Sequence, residues 1–557
     1  MKKIIVKIAT AVIVLGLVGG IIYWKSLPEE DVSIETVYTE EYQNDVADEL
    51  ESKKSLNDYD EDHMLIEYNP FKTNTLSLYV YFNTEEATKV SYTVKAPETD
   101  YEDFSANVDG SYRTEHEFQV LGLIPGTLNE VEFAIEDEDG NTITRTYEYT
   151  TSSLLGNEDV QLEEMNSTVD SVDIGNGLFA FMGNDSDEQD FMYYYDEDGV
   201  IRGEIPILGY RSHRLLFQDD LMYFSVAESK MVAMNGLGQI VKIYDLGQYE
   251  LHHDYVFDND ENILILASDT ESDTVEDRIV LLDVETGEVS EVLDLEDLFG
   301  SYKDMTSHDE DEDWDWMHIN TLQWLEDGSV ILSSRETSTI IKINDLETNP
   351  SIDYLIGEES FWSDTEYADY LLMPTSEFSN TSGQHSVTYM RDDSLEDGQY
   401  YLYLFNNNYG VSTTRSDYDW TQIEGIETKL ATEGDTEIDS VSYFYQYLVD
   451  ENEGTYSLVQ SFEIPYSGIV SSVQRVDDYI ITDSGMQGVL GIYDAQGNLL
   501  KQYKSMLNKK YIYRIYYYDF DGFFFIKLAV LSAVNKRCII WRYKFKKEGR
   551  LCHCLVK

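Results

Sequence analysis

FMYYYDEDGVIRGEI, residues 191–205, is an apolar and aromatic run, a Gly-containing polar turn, and a second run. Strand, tight turn, strand is the reading this pattern favours. Glycine supplies the turn's backbone freedom, and the flanking residues suit a pleated, half-buried surface. The plan recurs in MVAMNGLGQIVKIYDL (231–246), IVLLDVETGEVSEVLDL (279–295) and VLGIYDAQGNLLKQY (489–503). Units that return every roughly forty to eighty residues are the signature of propeller blades, each of which needs neighbours to bury its faces. The expectation is an all-β chain whose residues 153–526 form a six-bladed β-propeller, with blades beginning near residues 156, 211, 251, 316, 383 and 467. Such a ring brings polar groups from distant parts of the sequence to one axis.

Upstream, TLSLYVYF, KVSYTV, TEHEFQVLGL, VEFAIED and ITRTYEYTT alternate apolar and polar residues between turn signals such as IPGT and EDGN. This predicts a small immunoglobulin- or fibronectin-like β-sandwich over 61–152. Residues 26–60 are acidic and read as a stalk or short helix. In residues 1–25, Lys2, Lys3 and Lys7 precede an apolar run from about Ile8 to Trp24. That predicts a signal anchor, a single transmembrane helix with the body outside the cell, or a secreted protein if the segment is cleaved.

Composition narrows the function. Aromatic content of 13 %, with 44 Tyr and only 8 Pro, agrees with β-structure. A formal net charge of −70 argues against nucleic acid and anionic lipid headgroups as partners, and makes any cluster of Arg and His conspicuous. The three cysteines, Cys538, Cys552 and Cys554, all lie in a basic, atypical tail at 527–557, so the body has no disulfide framework. Cys552-His553-Cys554 lacks the four well-spaced ligands of a zinc site. Asp258, Asp260 and Asn262 imitate a calcium loop but lack its Gly and terminal Glu, and read as a hairpin turn.

The residues that carry chemistry fall on successive units. LHHDYV holds His252 and His253; DWMHIN holds His318 and Asn320, two apart and so on one strand face; SSRETS holds Arg335; SGQHSV holds His385. A lone strand histidine is an ordinary core or rim group, and several together could instead ligate a metal. Three histidine segments and an arginine on one ring could also grip an oxyanion.

HHDYVFDNDENILILA, DWMHINTLQWLEDGSVILSSRETSTIIKI, SGQHSVTYM with YYLYLFNNNYG, and YRIYYYDFDGFFF resemble, in that order, bacterial arylsulfate sulfotransferases over most of residues 60–526. The resemblance implies a six-bladed propeller with a sandwich domain, which moves a sulfuryl group from a phenolic sulfate ester to another phenol without a nucleotide donor. It implies His385 as the nucleophile that is transiently sulfated, in a ping-pong scheme. His318, Asn320 and Arg335 resemble the groups that hold sulfate oxygens, and His253, or its neighbour His252, a further active-site histidine that passes protons to and from the phenols. A late hydroxyl group belongs somewhere in YSGIVSSVQ, near Ser467–Ser472. No cofactor and no metal are implied; the partners are an aryl sulfate donor and a phenolic acceptor. A homodimer through the sandwich is left open. The alternatives are a non-catalytic surface propeller that binds glycan or protein, and a metal-dependent propeller hydrolase or lyase.

Overall fold

β-Branched and aromatic residues alternating with polar ones give a chain dominated by β-strands. The computed structural model describes residues 32–108, 110–175, 177–184, 189–309, 311–430 and 440–526. Among them no helix is long and apolar enough to cross a membrane. The anchor expected over 1–25 and the tail over 527–557, with all three cysteines, lie outside the described residues.

The amino-terminal body is a six-stranded sheet system organised by one long strand, Leu78–Lys95. Its first part pairs with Leu65–Tyr68 and Arg113–Val120, its second with Phe104–Asn107 and Leu128–Asp137. TLSLYVYF and KVSYTV, read above as separate strands, are therefore continuous. The polar stretch between them stays extended at a register shift between Asn83 and Thr88 instead of turning back. Residues expected as an acidic stalk hold the helix Glu40–Leu56, whose first turn is acidic and last turn basic, as the helix dipole favours. Thr39 caps it, its side chain accepting from the Tyr42 N–H. Its Leu50 packs on Leu65, Phe71, Tyr79 and Tyr81. Gln43, fully buried, donates to the Val37 carbonyl and accepts from the Ile240 N–H, so the helix is pinned to both bodies.

Six sheets of four or five strands, antiparallel but for the short edge strand Met373–Pro374, follow in a propeller-like arrangement. The leading strands of five of them are Tyr249–Phe257, Ile319–Trp324, His385–Met390, Ser472–Val476 and Arg514–Tyr518, and each adjoins the next. Closure is made twice. Arg514–Tyr518, late in the chain, pairs with Leu178–Met182 to complete the first sheet from inside. Glu163–Ser167, early in the chain, pairs with Leu499–Lys504 to complete the sixth from outside. The strand nearest the expected first start at 156 thus belongs to the last sheet, a swap that periodicity cannot reveal. The hairpin turns share one device. Asp258 Oδ1 accepts the N–H groups of Asp260 and Asn262 at 2.8 and 2.9 Å, and Asp494 does the same for Gln496 and Asn498.

Candidate functional site

The leading strands of the third, fourth and fifth sheets all break register near their starts, between Leu251 and Tyr255, Ile319 and Thr321, and His385 and Thr388. Extra residues at such bulges turn side chains out of the sheet. His253, His318 and Ser386 take φ of 56°, 48° and 56°, a conformation costly for residues with a Cβ. The same strain at the start of successive sheets gathers His252, His253, His318, Asn320 and His385 where the leading strands meet.

His385 is buried. Its Nδ1 lies 2.8 Å from Asn407 Oδ1 and 3.0 Å from the Gly383 carbonyl, two acceptors, so that nitrogen carries the proton. Asn407 cannot be turned over. Its Nδ2 donates to the carbonyls of Ser467 and Val470 at 2.7 and 2.9 Å, which commits Oδ1 to the histidine. Nε2 of His385 is left with its lone pair and no partner among the described residues. Burial, only partly offset by the Asn407 bond, pushes the imidazole pKa down to about 3, and the charges of His318 and Arg335 act in the same direction. His385 is neutral at neutral pH.

His318 is the opposite. Burial and Arg335 oppose its charge, but Asp315 and Glu276 outweigh them and raise its pKa to about 9. Its Nδ1 contacts Asp315 Oδ2 closely and lies 2.7 Å from Glu276 Oε2. Burial likewise opposes ionisation of Glu276, but His318 holds it at about 2. His318 and Glu276 are therefore both charged at neutral pH, and with Nδ1 turned to the carboxylates the proton left to donate is that on Nε2 of His318.

Arg335 lies beside it. Nη2 is 3.8 Å from Asp315 and 3.6 Å from Glu336, too long for tight bonding, and the buried Nε has no partner among the described residues. A guanidinium with open donors is a ready fork for oxyanions.

Asn320, fully buried, donates from Nδ2 to the Gln384 carbonyl at 2.8 Å. It reaches the peptide next to His385, not open space, and so fixes the backbone that carries that histidine. His253 packs against His318 at 4.8 Å between ring centres, and His252 Nδ1 is 2.9 Å from His253 Nδ1. Burial, then the charge of His318, holds His253 well below the ordinary imidazole range; burial also lowers His252. The hydroxyls of Ser467, Ser471 and Ser472 are all engaged, Ser471 with Ser467, Ser467 with the Ile469 carbonyl and Met486 N–H, and Ser472 with the backbone of Ile515.

Sequence reasoning missed four contributors. Asp315 sits in the acidic run HDEDEDWDW, which reads as a solvated loop. Glu276 comes from a turn between strands, with φ of 56°. Asn407 lies in FNNNYG, where three amides look alike. Asp254, fully buried, takes Arg514 at 2.9 Å and Arg214 at 3.1 Å, tying the third sheet to the closing strand. Two triads, His252–His253–Glu276 and Glu276–Asp315–His318, bring ligand atoms within 4.8 Å and could by spacing hold a metal ion. In the second, the ion would have to displace the proton that the two carboxylates stabilise on His318.

A neutral, lone-pair-bearing histidine in the field of His318 and Arg335 is chemistry suited to an anionic group. The chain belongs to the arylsulfotransferase (ASST) family, whose sequence profile matches residues 160–514; the profile of the family's Ig-like domain matches residues 65–152. It is a sulfotransferase enzyme of the aryl sulfate class. No curated protein matches the chain. Among solved structures, a putative 6-phosphogluconolactonase from Bacteroides fragilis NCTC 9343 is similar at 11 % identity and a TM-score of 0.34, covering 77 % of this chain and 98 % of its own. The C-terminal WD40 domain of Sif2 is similar at 11 % identity and a TM-score of 0.31, covering 65 % and 93 %.

Proposed function

We propose that the chain transfers a sulfuryl group between phenols by a ping-pong reaction through sulfated His385, in a six-bladed propeller closed by its last described strand. The single observation that carries this reading is the pinning of His385 Nδ1–H by Asn407 and Gly383, which leaves Nε2 as a neutral nucleophile. In the first half-reaction Nε2 attacks sulfur, the sulfur–oxygen bond to the aryl group breaks, and the leaving phenolate takes a proton. The imidazole ring becomes cationic as it is sulfated, so its bonds to Asn407 and Gly383 strengthen along the reaction. In the second half-reaction an acceptor phenol attacks sulfur, the nitrogen–sulfur bond breaks, and the proton returns to its donor.

The proton-carrying role fits His318 better than His253 or His252. His318 holds its proton up to about pH 9, close to the pKa of about 10 of an ordinary phenol, whereas burial keeps His253 and His252 neutral. Arg335, with its open donors, holds the sulfuryl oxygens as charge spreads over them. Asn320 and Asn407 are positioning residues. The lysines before the apolar run of 1–25, and a body without cysteine, support an anchored protein facing the outside of the cell.

The test is release of nitrophenolate from 4-nitrophenyl sulfate with and without phenol. Acceptor-dependent release, with a sulfated protein trapped when acceptor is omitted, is the expected result. His385→Ala should abolish both; near-normal transfer in that variant would remove the nucleophile from this scheme.

A further inference from the structure

A cleft of about 550 Å³ lined by Gly183, Tyr210, Arg211, Asn508, Lys509, Lys510 and Tyr511 lies on the far side of Tyr513 from His253. The two regions are one side chain apart. Arg211 lies over the Tyr513 ring at 4.3 Å, and the Tyr513 ring is 5.6 Å from that of His253, whose backbone carbonyl accepts from the Tyr513 hydroxyl at 3.2 Å. The charge of Arg211 acts on His253.

The cleft is chemically unlike the rest of the molecule. The chain carries 108 Asp and Glu against 38 Lys and Arg. Yet three of its seven wall residues are cationic, and among the described residues that line it none is acidic. Lys509 is paired with Asp190 at 3.0 Å. Arg211 is not neutralised by a carboxylate among the described residues; it donates to the Tyr210 hydroxyl at 2.9 Å and to His213 Nε2 at 3.3 Å, and rests on aromatic rings. Lys510 is exposed, with no carboxylate partner among the described residues. A half-buried arginine held by rings and hydroxyls keeps its charge available. In a protein whose overall field repels anions, a local cationic cleft beside the site selects which anions arrive and how they lie.

We propose that this cleft is a subsite for a second negative charge on the phenol, so that the preferred substrates are phenols bearing a carboxylate a few atoms beyond the ring. The proposal rests on the sulfate-transfer reading of the neighbouring site. With the phenol oxygen at His385, the tail of the acceptor extends past His253 and Tyr513 towards Arg211 and Lys510.

The experiment uses the full chain with 4-nitrophenyl sulfate as donor and two acceptors that differ in charge alone: 3-(4-hydroxyphenyl)propionate and the neutral 4-(3-hydroxypropyl)phenol. The wild type should favour the carboxylate in kcat/KM by about tenfold at low salt, and less at high salt, since exposed charges are screened. Lys510→Gln with Lys509→Gln should lower that preference at least about threefold while the neutral acceptor reacts within twofold of wild type. Equal use of both acceptors by wild type, or an unchanged preference in the double variant, overturns the subsite. If neither acceptor supports transfer, the sulfate-transfer reading fails instead. Calorimetric Kd values for the two phenols then decide the cleft separately: tighter binding of the carboxylate that is lost in the double variant upholds it, and equal binding overturns it.

Discussion

Replacing Asn407 with Leu tests the geometry of the nucleophile. Leucine fills much of the same space but cannot accept the His385 Nδ1–H at 2.8 Å. A hydrogen bond between neutral groups contributes about 1 kcal/mol net, and one to a charged group about 1.5–3 kcal/mol. His385 is neutral in the resting site; in the proposed scheme it is cationic once sulfated, so the bond is stronger on the product side of the first half-reaction. The Gly383 carbonyl at 3.0 Å remains, so orientation is weakened and not abolished. Together these give an expected loss of about 10–100-fold in the rate of the first half-reaction, equivalent to about 1.4–2.8 kcal/mol, with a small change in KM. The assay is single-turnover release of nitrophenolate with enzyme in excess, read beside the mass of the sulfated protein. Asn407 also ties down the carbonyls of Ser467 and Val470. A thermal melt and Asn407→Asp, which keeps an acceptor but adds charge, therefore separate a folding defect from a catalytic one. The Asp variant should raise the His385 pKa and bring an acid limb into the pH profile. If the Leu variant melts like wild type and reacts within threefold of it, the pinned-tautomer reasoning is refuted.

Other outcomes follow from the same contacts. Because His318 loses its proton above about pH 9 and His385 gains one only near pH 3, kcat/KM should be flat through neutral pH and fall towards tenfold per unit beyond about 9; His318→Gln should be slower and lack that alkaline limb, as pH–rate profiles would record. Arg335→Lys keeps the charge but loses the fork, and should lower kcat at least about tenfold with a smaller effect on KM in steady-state kinetics. Arg514→Met strands part of the charge of buried Asp254, and should destabilise the protein by about 3 kcal/mol, seen as a lower urea midpoint.

Strand–turn–strand repeats are visible in sequence because each blade-like unit must carry its own turn glycine and apolar alternation. The double closure is not, since Arg514–Tyr518 and Glu163–Ser167 look like any other strand and their partners are hundreds of residues away. His385, His318, Arg335 and the HHD pair stand out as polar groups on otherwise apolar strands. Their division of labour does not, because it depends on burial and on which carboxylate faces which ring. His318 and His385 are alike in sequence, yet Asp315 and Glu276 charge one while burial, against the pull of the Asn407 bond, keeps the other neutral. Asn320 shows the converse. Its spacing from His318 suggests a shared ligand, but a bulge between Ile319 and Thr321 directs it to the Gln384 carbonyl.

The way the ring is closed also sets when the enzyme comes into being. As the chain folds, the first sheet lacks its inner strand until residues 514–518 are in place, and Asp254 lacks Arg514 until then. Every histidine of the site is by then already synthesised. A nascent or prematurely terminated chain therefore holds the chemical groups without the ring that orients them, and activity switches on with the arrival of one late strand. A chain that stops short of that strand cannot close the first sheet.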